Sequence, residues 1–117
     1  MKKSLIVWSA FALLFAATAC TKSSPSRPSD LTANTASLTQ ISLAWSDNSS
    51  NESGFRIERC QGAGCTNFAE IAQVGANTTS YVDGGLLPLV TYEYRIRAFN
   101  AAGNSAYSNT AAAAPGL

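Results

Sequence analysis

Tyr92-Glu93-Tyr94-Arg95-Ile96-Arg97-Ala98-Phe99-Asn100 is the stretch that decides the fold. Tyr92, Tyr94, Ile96 and Ala98 alternate with Glu93, Arg95 and Arg97, so apolar and charged side chains fall on opposite faces at a period of two. That is the pattern of a strand with one face in a core and the other in water. Outward from it the same period recurs. Downstream, residues 100–104 contain Gly103 and turn the chain into a last strand over 105–112. Upstream, Asp83-Gly84-Gly85 marks a turn after a short strand at Tyr81. Phe55 and Ile57 oppose Arg56 and Glu58, and after Gly62 and Gly64 a second apolar run, 68–74, completes a hairpin. Ile41, Leu43 and Trp45 share one face of an earlier strand, followed by residues 47–53, all turn-formers apart from Glu52. No helical period is found between 29 and 113. Short strands at regular spacing with polar turns predict an all-β antiparallel sandwich.

Composition narrows the chemistry. The chain of 117 residues carries 8 Lys plus Arg against 7 Asp plus Glu, a net charge of +1, which offers no field for gathering nucleic-acid phosphates. It has no histidine, which removes the commonest general base and the usual zinc ligand. No Ser, Asp or Glu stands beside a candidate base in a catalytic motif, so the expectation is a chain that is not an enzyme and uses no cofactor.

The N-terminal residues read as a delivery signal. Lys2 and Lys3 precede an apolar run from Leu5 to Ala17, shorter than the ~20 residues needed to span a bilayer, and Ala17-Thr18-Ala19 supplies small residues for cleavage. The arrangement resembles a bacterial lipoprotein signal, in which the cysteine that follows is acylated and becomes the first residue of the mature chain. In this chain it is Cys20. The lipoprotein pattern usually has a branched apolar residue three positions earlier, where this chain has Ala17. Cysteine arithmetic agrees with the resemblance: of three cysteines, Cys60 and Cys65 are close enough to pair, and Cys20 is left over. Residues 1–19 are thus expected to be removed. Residues 20–28, rich in Ser and Pro, are expected to form an extended tether reaching roughly 25 Å. The domain should run over 29–114 and end in a short tail, 115–117. Thr21, in place of an aspartate, implies an outer-membrane address if the envelope has two membranes.

A second resemblance covers most of the chain. Pro28 and Leu31, Trp45, Gly54-Phe55-Arg56-Ile57-Glu58, Leu86-x-Pro88, the Tyr92 to Asn100 stretch, Gly103, Ser105 and Tyr107-Ser108-Asn109 together resemble the fibronectin type III domain. The resemblance implies a seven-stranded antiparallel immunoglobulin-like sandwich, and it makes Tyr92 the tyrosine-corner residue, whose hydroxyl bonds to nearby backbone. Where the family often has Gly-Thr after the proline, this chain has Leu89-Val90. Its topology also implies that loops 47–53 and 100–104 share a pole with the start of the first strand. Residues 60–65, 83–90 and the C-terminus would lie at the other.

The candidate sites follow from residue type. Cys60 and Cys65, five apart, suit a structural disulfide in an exported protein better than a metal site, which would need further His or Cys ligands. No metal site is expected, although Asp47 and Glu52 among Asn and Ser oxygens leave a weak case for calcium. Arg56, Arg95 and Arg97 should pair across strands with Glu58 and Glu93, with a polyanion surface the sharper alternative. Trp45, Tyr92 and Tyr94 have the inward parity and read as core. The Asn48, Asn51 and Asn77 sequons are not expected to be modified behind a bacterial leader. Leu89 and Val90 are the candidate contact residues, the alternative being that both fold over the bottom of the core. The expected function is a lipid-anchored module of the bacterial cell envelope, held to the membrane by its anchor and contacting an envelope protein or cell-wall polymer. The alternative is a passive structural spacer or a truncated remnant of a larger surface protein or secreted enzyme.

Overall fold

A computed structural model describes residues 23–116. The expected signal peptide, Cys20, Thr21 and Lys22 of the expected tether, and Leu117 lie outside them. Strands β1 (Ser29–Ser37), β2 (Gln40–Ser46) and β5 (Ser80–Asp83) form one antiparallel sheet in the order β1-β2-β5. The second contains β3 (Gly54–Gln61), β4 (Ala69–Gly75), β6 (Tyr92–Asn100), β7 (Gly103–Asn104) and β8 (Ala111–Ala113). Its order is β4-β3-β6-β7, with β8 also pairing β6. The described residues contain no helix.

The alternation read from the sequence sets the core. Ile41, Leu43 and Trp45 from β2 meet Phe55 and Ile57 from β3 and Tyr92, Tyr94, Ile96 and Ala98 from β6, with Leu31 and Leu86 closing the ends. Trp45 and Phe55 pack edge to face across the sheets at 5.6 Å between ring centres. A one-residue slip of β3 against β6 would turn Phe55 and Ile57 outward, and their register opposite Ala98 and Ile96 prevents it. Gly54 is required where it stands, because a Cβ there would collide with the Val74 carbonyl oxygen and touch the Phe99 ring.

The structure corrects the expected organisation in three places. The last strand is not continuous over 105–112 but divided into β7 and β8. In the gap, the Ser105 hydroxyl accepts from Ala98 N–H at 2.9 Å and the Ser108 hydroxyl accepts from Ile96 N–H at 3.1 Å. Serine oxygens thus replace backbone carbonyls, an exchange that strand periodicity does not register. Beside the gap, the Asn109 side chain accepts from Leu31 N–H and donates to Leu31 carbonyl, both at 2.9 Å, and so joins the sheets at their edge.

The other two corrections are at the ends. Residues 23–28 are not a free tether, because Pro25 and Pro28 are buried and backbone carbonyls of this segment accept hydrogen bonds from the domain. At the C-terminal end Pro115 is fully buried, and Gly116 N–H donates to Ser37 carbonyl at 3.1 Å. Residues 115 and 116 therefore belong to the sandwich. Short segments of Ser, Pro and Gly have no strand period to mark a buried face, so only the surface they meet decides whether they dock.

Candidate functional site

The β5–β6 connection builds the most exposed apolar feature. Leu86 N–H donates to Thr39 carbonyl at 3.1 Å, which sends the Leu86 side chain into the core. Leu87 N–H then donates to the Tyr92 hydroxyl at 3.0 Å, the tyrosine-corner bond, and Leu89 N–H donates to Pro115 carbonyl at 2.7 Å. These bonds hold Leu89 at φ +65°, a left-handed conformation that non-glycine residues rarely adopt. Leu87 is 56% exposed and Leu89 80%, and Leu38, in the β1–β2 turn, is 48% exposed. Leu38, Pro88, Leu89 and Gly116 line a shallow apolar hollow. The expected pair Leu89 and Val90 is therefore split: Leu89 faces outward, whereas Val90 packs against the core. Leu38 and Leu87 were missed, because an apolar residue in a turn carries no periodic signal of the side it faces.

The Cys60–Cys65 disulfide lies at this same pole. It forms between the end of β3 and the connection to β4, with Cα atoms 6.0 Å apart. Gly62 and Gly64 supply the positive φ values of 106° and 72° that this short loop needs. Gly64 N–H donates to the Glu93 carboxylate and Gly62 N–H to Thr91 carbonyl, fixing the loop to the start of β6.

On the outer face of the second sheet the charges are already engaged with one another. Glu58, nearly buried, accepts from Arg95 Nε and the Tyr107 hydroxyl, both at 2.8 Å, with Arg97 at 3.7 Å. The Arg95 guanidinium lies between the Phe68 and Tyr107 rings, at 4.4 and 3.8 Å from their centres, and Arg97 lies over Tyr107 at 4.6 Å. Arg56 pairs with Glu70 at 3.5 Å and stacks over Phe99 at 4.2 Å. Cross-strand pairing is thus present at Glu58, whereas Glu93 serves the disulfide loop. Burial, and then the Glu58 carboxylate, push the Tyr107 pKa up. Three guanidiniums thus share two carboxylates, Glu58 and Glu70, and each stacks on an aromatic ring, so most of the positive charge of this face is engaged within the domain rather than held free for a polyanion.

A polar network inside the sandwich had no signal in the sequence. Arg59 has the inward parity of Phe55 and Ile57 but lies at the edge of the core, where its Nη1 contacts both Asp83 oxygens at 3.1 and 2.8 Å. The Tyr94 hydroxyl donates to the same carboxylate at 2.6 Å. Asp83 belongs to the first sheet and its partners to the second. Burial, followed by this carboxylate, raises the Tyr94 pKa far above the phenolic range.

At the opposite pole Asp47 and Glu52 are bound up in loop structure. Ser49 N–H donates to Asp47 at 3.1 Å, and Ser49 hydroxyl and Asn77 N–H donate to Glu52 at 3.0 and 2.9 Å. Burial and the neighbouring Glu52 raise the Asp47 pKa. Burial acts in the same sense on Glu52, but the hydrogen bonds it accepts, from Asn77 N–H first and also from the Ser49 hydroxyl, oppose it and that pKa is lowered. Among the described residues no group of three or more His, Cys, Asp or Glu side chains is placed to hold a metal ion.

Two antiparallel sheets packed face to face and closed by a tyrosine corner define an immunoglobulin-like sandwich. The model of the fibronectin type III domain matches residues 26–113, and the chain belongs to that family. Receptor-type tyrosine-protein phosphatase F of Danio rerio is 36% identical over 80 residues, which are 68% of this chain and 4% of the receptor. The chain thus spans a small fraction of that relative's length. The chicken CNTN1 FN1–FN3 domains superpose with a TM-score of 0.69 at 23% identity, covering 82% of this chain and 34% of that one. An Fn3-like protein from Clostridium thermocellum gives 0.65 at 23% identity, covering 77% of this chain and 92% of that one. At such identities these structures establish the fold alone.

Proposed function

We propose that this chain is a lipid-anchored extracytoplasmic binding module that contacts a protein of the bacterial envelope through the pole formed by Leu38, Leu87, Pro88 and Leu89. The observation that carries the reading is the group of outward-facing leucines on backbone tied down by the tyrosine corner and the Pro115 carbonyl. A pre-ordered apolar surface loses little entropy on binding. The large hydrophobic side chains exposed among the described residues are aliphatic, Leu38, Val82, Leu87 and Leu89, while Trp45, Tyr92 and Tyr94 are buried and the half-buried Phe68, Phe99 and Tyr107 rings are covered by arginines. Aliphatic side chains favour a protein partner over a cell-wall glycan, which is commonly held by exposed aromatic rings. The Lys2 to Cys20 pattern supports acylation at Cys20, and two acyl chains suffice for stable anchoring. The reading assigns the chain no reaction.

Two experiments test its parts separately. Cys20→Ala should move the protein from the membrane fraction to a soluble exported pool, and retention after a salt wash refutes the anchor. In-cell crosslinking should yield a reproducible protein adduct that Leu87→Ser with Leu89→Ser abolishes and Val82→Ser, at a comparably exposed site on β5, preserves. Adducts indifferent to the leucines, or none at all, refute the contact pole and leave the passive spacer.

A further inference from the structure

At the other pole three asparagine side chains donate hydrogen bonds to the segment that leads into β1. Asn51 Nδ2 and Asn100 Nδ2, from the β2–β3 loop and the end of β6, both donate to the Ser23 carbonyl, at 3.1 and 2.9 Å. Asn48 Nδ2 donates to the Arg27 carbonyl at 3.0 Å and to the Ser29 hydroxyl at 2.9 Å. The orientation of the Asn100 amide follows from its other contacts. Its Oδ1 accepts from Ala102 N–H at 2.8 Å, which leaves Nδ2 to face Ser23 and the Asn51 carbonyl. Within this segment Pro25 and Pro28 are buried while Ser24, Ser26 and Arg27 are exposed. A spacing of three places both prolines on one side of an extended polyproline-type chain. Their fixed φ angles lower the entropy lost when the segment is ordered.

We propose that Asn48, Asn51 and Asn100 form a carbonyl-reading cradle for an extended, proline-containing peptide, and that residues 23–28 occupy it in cis as a clasp. The clasp covers the loops that meet at this pole and denies them to other partners. It also fixes the direction in which the chain leaves the domain. Asparagine amides suit the task because they donate without adding charge, so the cradle reads backbone rather than side chains. The clasp does not depend on acylation. If Cys20 is acylated as proposed above, the reach from anchor to domain shrinks from the roughly 25 Å of a free tether to about 10 Å for the three steps to Ser23. The cradle pole then faces the headgroups and the leucine pole points away.

The test is backbone ¹⁵N relaxation on the intact chain in detergent micelles. Ser24, Ser26 and Arg27 should show order parameters of about 0.85, equal to those of β3 and β6, rather than the values below ~0.6 of a flexible linker. Asn100→Asp keeps the oxygen that serves Ala102 but removes both donors, and should release Ser24 and Ser26 to linker values while the sheets stay unchanged. Asn48→Ala with Asn51→Ala, both exposed positions, should do the same without any risk to the core. Flexible residues 24–27 in the parent overturn the proposal. So do variants in which they remain ordered.

Discussion

Asp83→Ala is expected to be among the most damaging single changes of a charged residue. Its side chain is 6% exposed and accepts from Arg59, itself 30% exposed, and from the buried Tyr94 hydroxyl. Removing one partner of a buried ion pair costs about 3–5 kcal/mol because the other charge is left uncompensated. Arg59 can recover part of its hydration, which favours the lower end of that range. Tyr94 cannot, and an unsatisfied buried hydroxyl costs about 1–3 kcal/mol within that total. A loss of about 3 kcal/mol corresponds to a fall in Tm of roughly 12–24 °C for a domain of this size. Tyr94→Phe, which leaves the Arg59 pair in place, should cost about 1.5 kcal/mol. Combined with Asp83→Ala it should cost less than the sum by about 1 kcal/mol, since the first change already strands the hydroxyl. Urea and thermal unfolding followed by circular dichroism give all three values. Strict additivity, or a loss below about 1 kcal/mol for Asp83→Ala, would show that this network does not join the sheets.

Cys60→Ser with Cys65→Ser should lower stability by about 2 kcal/mol, the chain-entropy value for so short a loop, and intact-mass analysis of the parent should show the pair oxidised. Tyr92→Phe, leaving Leu87 N–H without its acceptor, should cost about 1 kcal/mol in urea unfolding and raise hydrogen exchange at Leu87. Asp47→Asn should stabilise the domain at neutral pH. The Asp47 pKa is raised by burial and by Glu52, so its favourable contribution holds below the ordinary value of 3.8 and is lost as pH rises through the folded pKa. The advantage of the variant should shrink as pH falls toward 4, and a constant advantage across that range would argue against the carboxylate pair.

The two-residue period of 92–100 and the Ile41, Leu43, Trp45 triplet made the sandwich and its core legible, because burial on one face of a strand requires apolar side chains at every second position. Tyr92 was legible through the family pattern, and the Cys60–Cys65 bridge through spacing and the lack of other ligands. The leucine pole was half legible. Leu89 stood out after Pro88, but the separation of Leu89 from Val90 follows from the bond between Leu89 N–H and Pro115 carbonyl, residues far apart in the chain.

By itself, then, the sequence determined the strands before the last, the facing of the core, the disulfide pairing and the expectation of a leader over 1–19 that leaves Cys20 first, all consequences of local pattern or short separation. The tertiary structure alone decided what depends on chain segments distant in sequence. It placed Arg59 and Tyr94 on Asp83 and folded the 23–28 segment onto Asn48, Asn51 and Asn100. It also let Ser105 and Ser108 stand in for a broken strand. Polar side chains that satisfy buried or docked backbone groups carry no periodicity, since their place is set by whichever donor or acceptor the fold leaves unpaired.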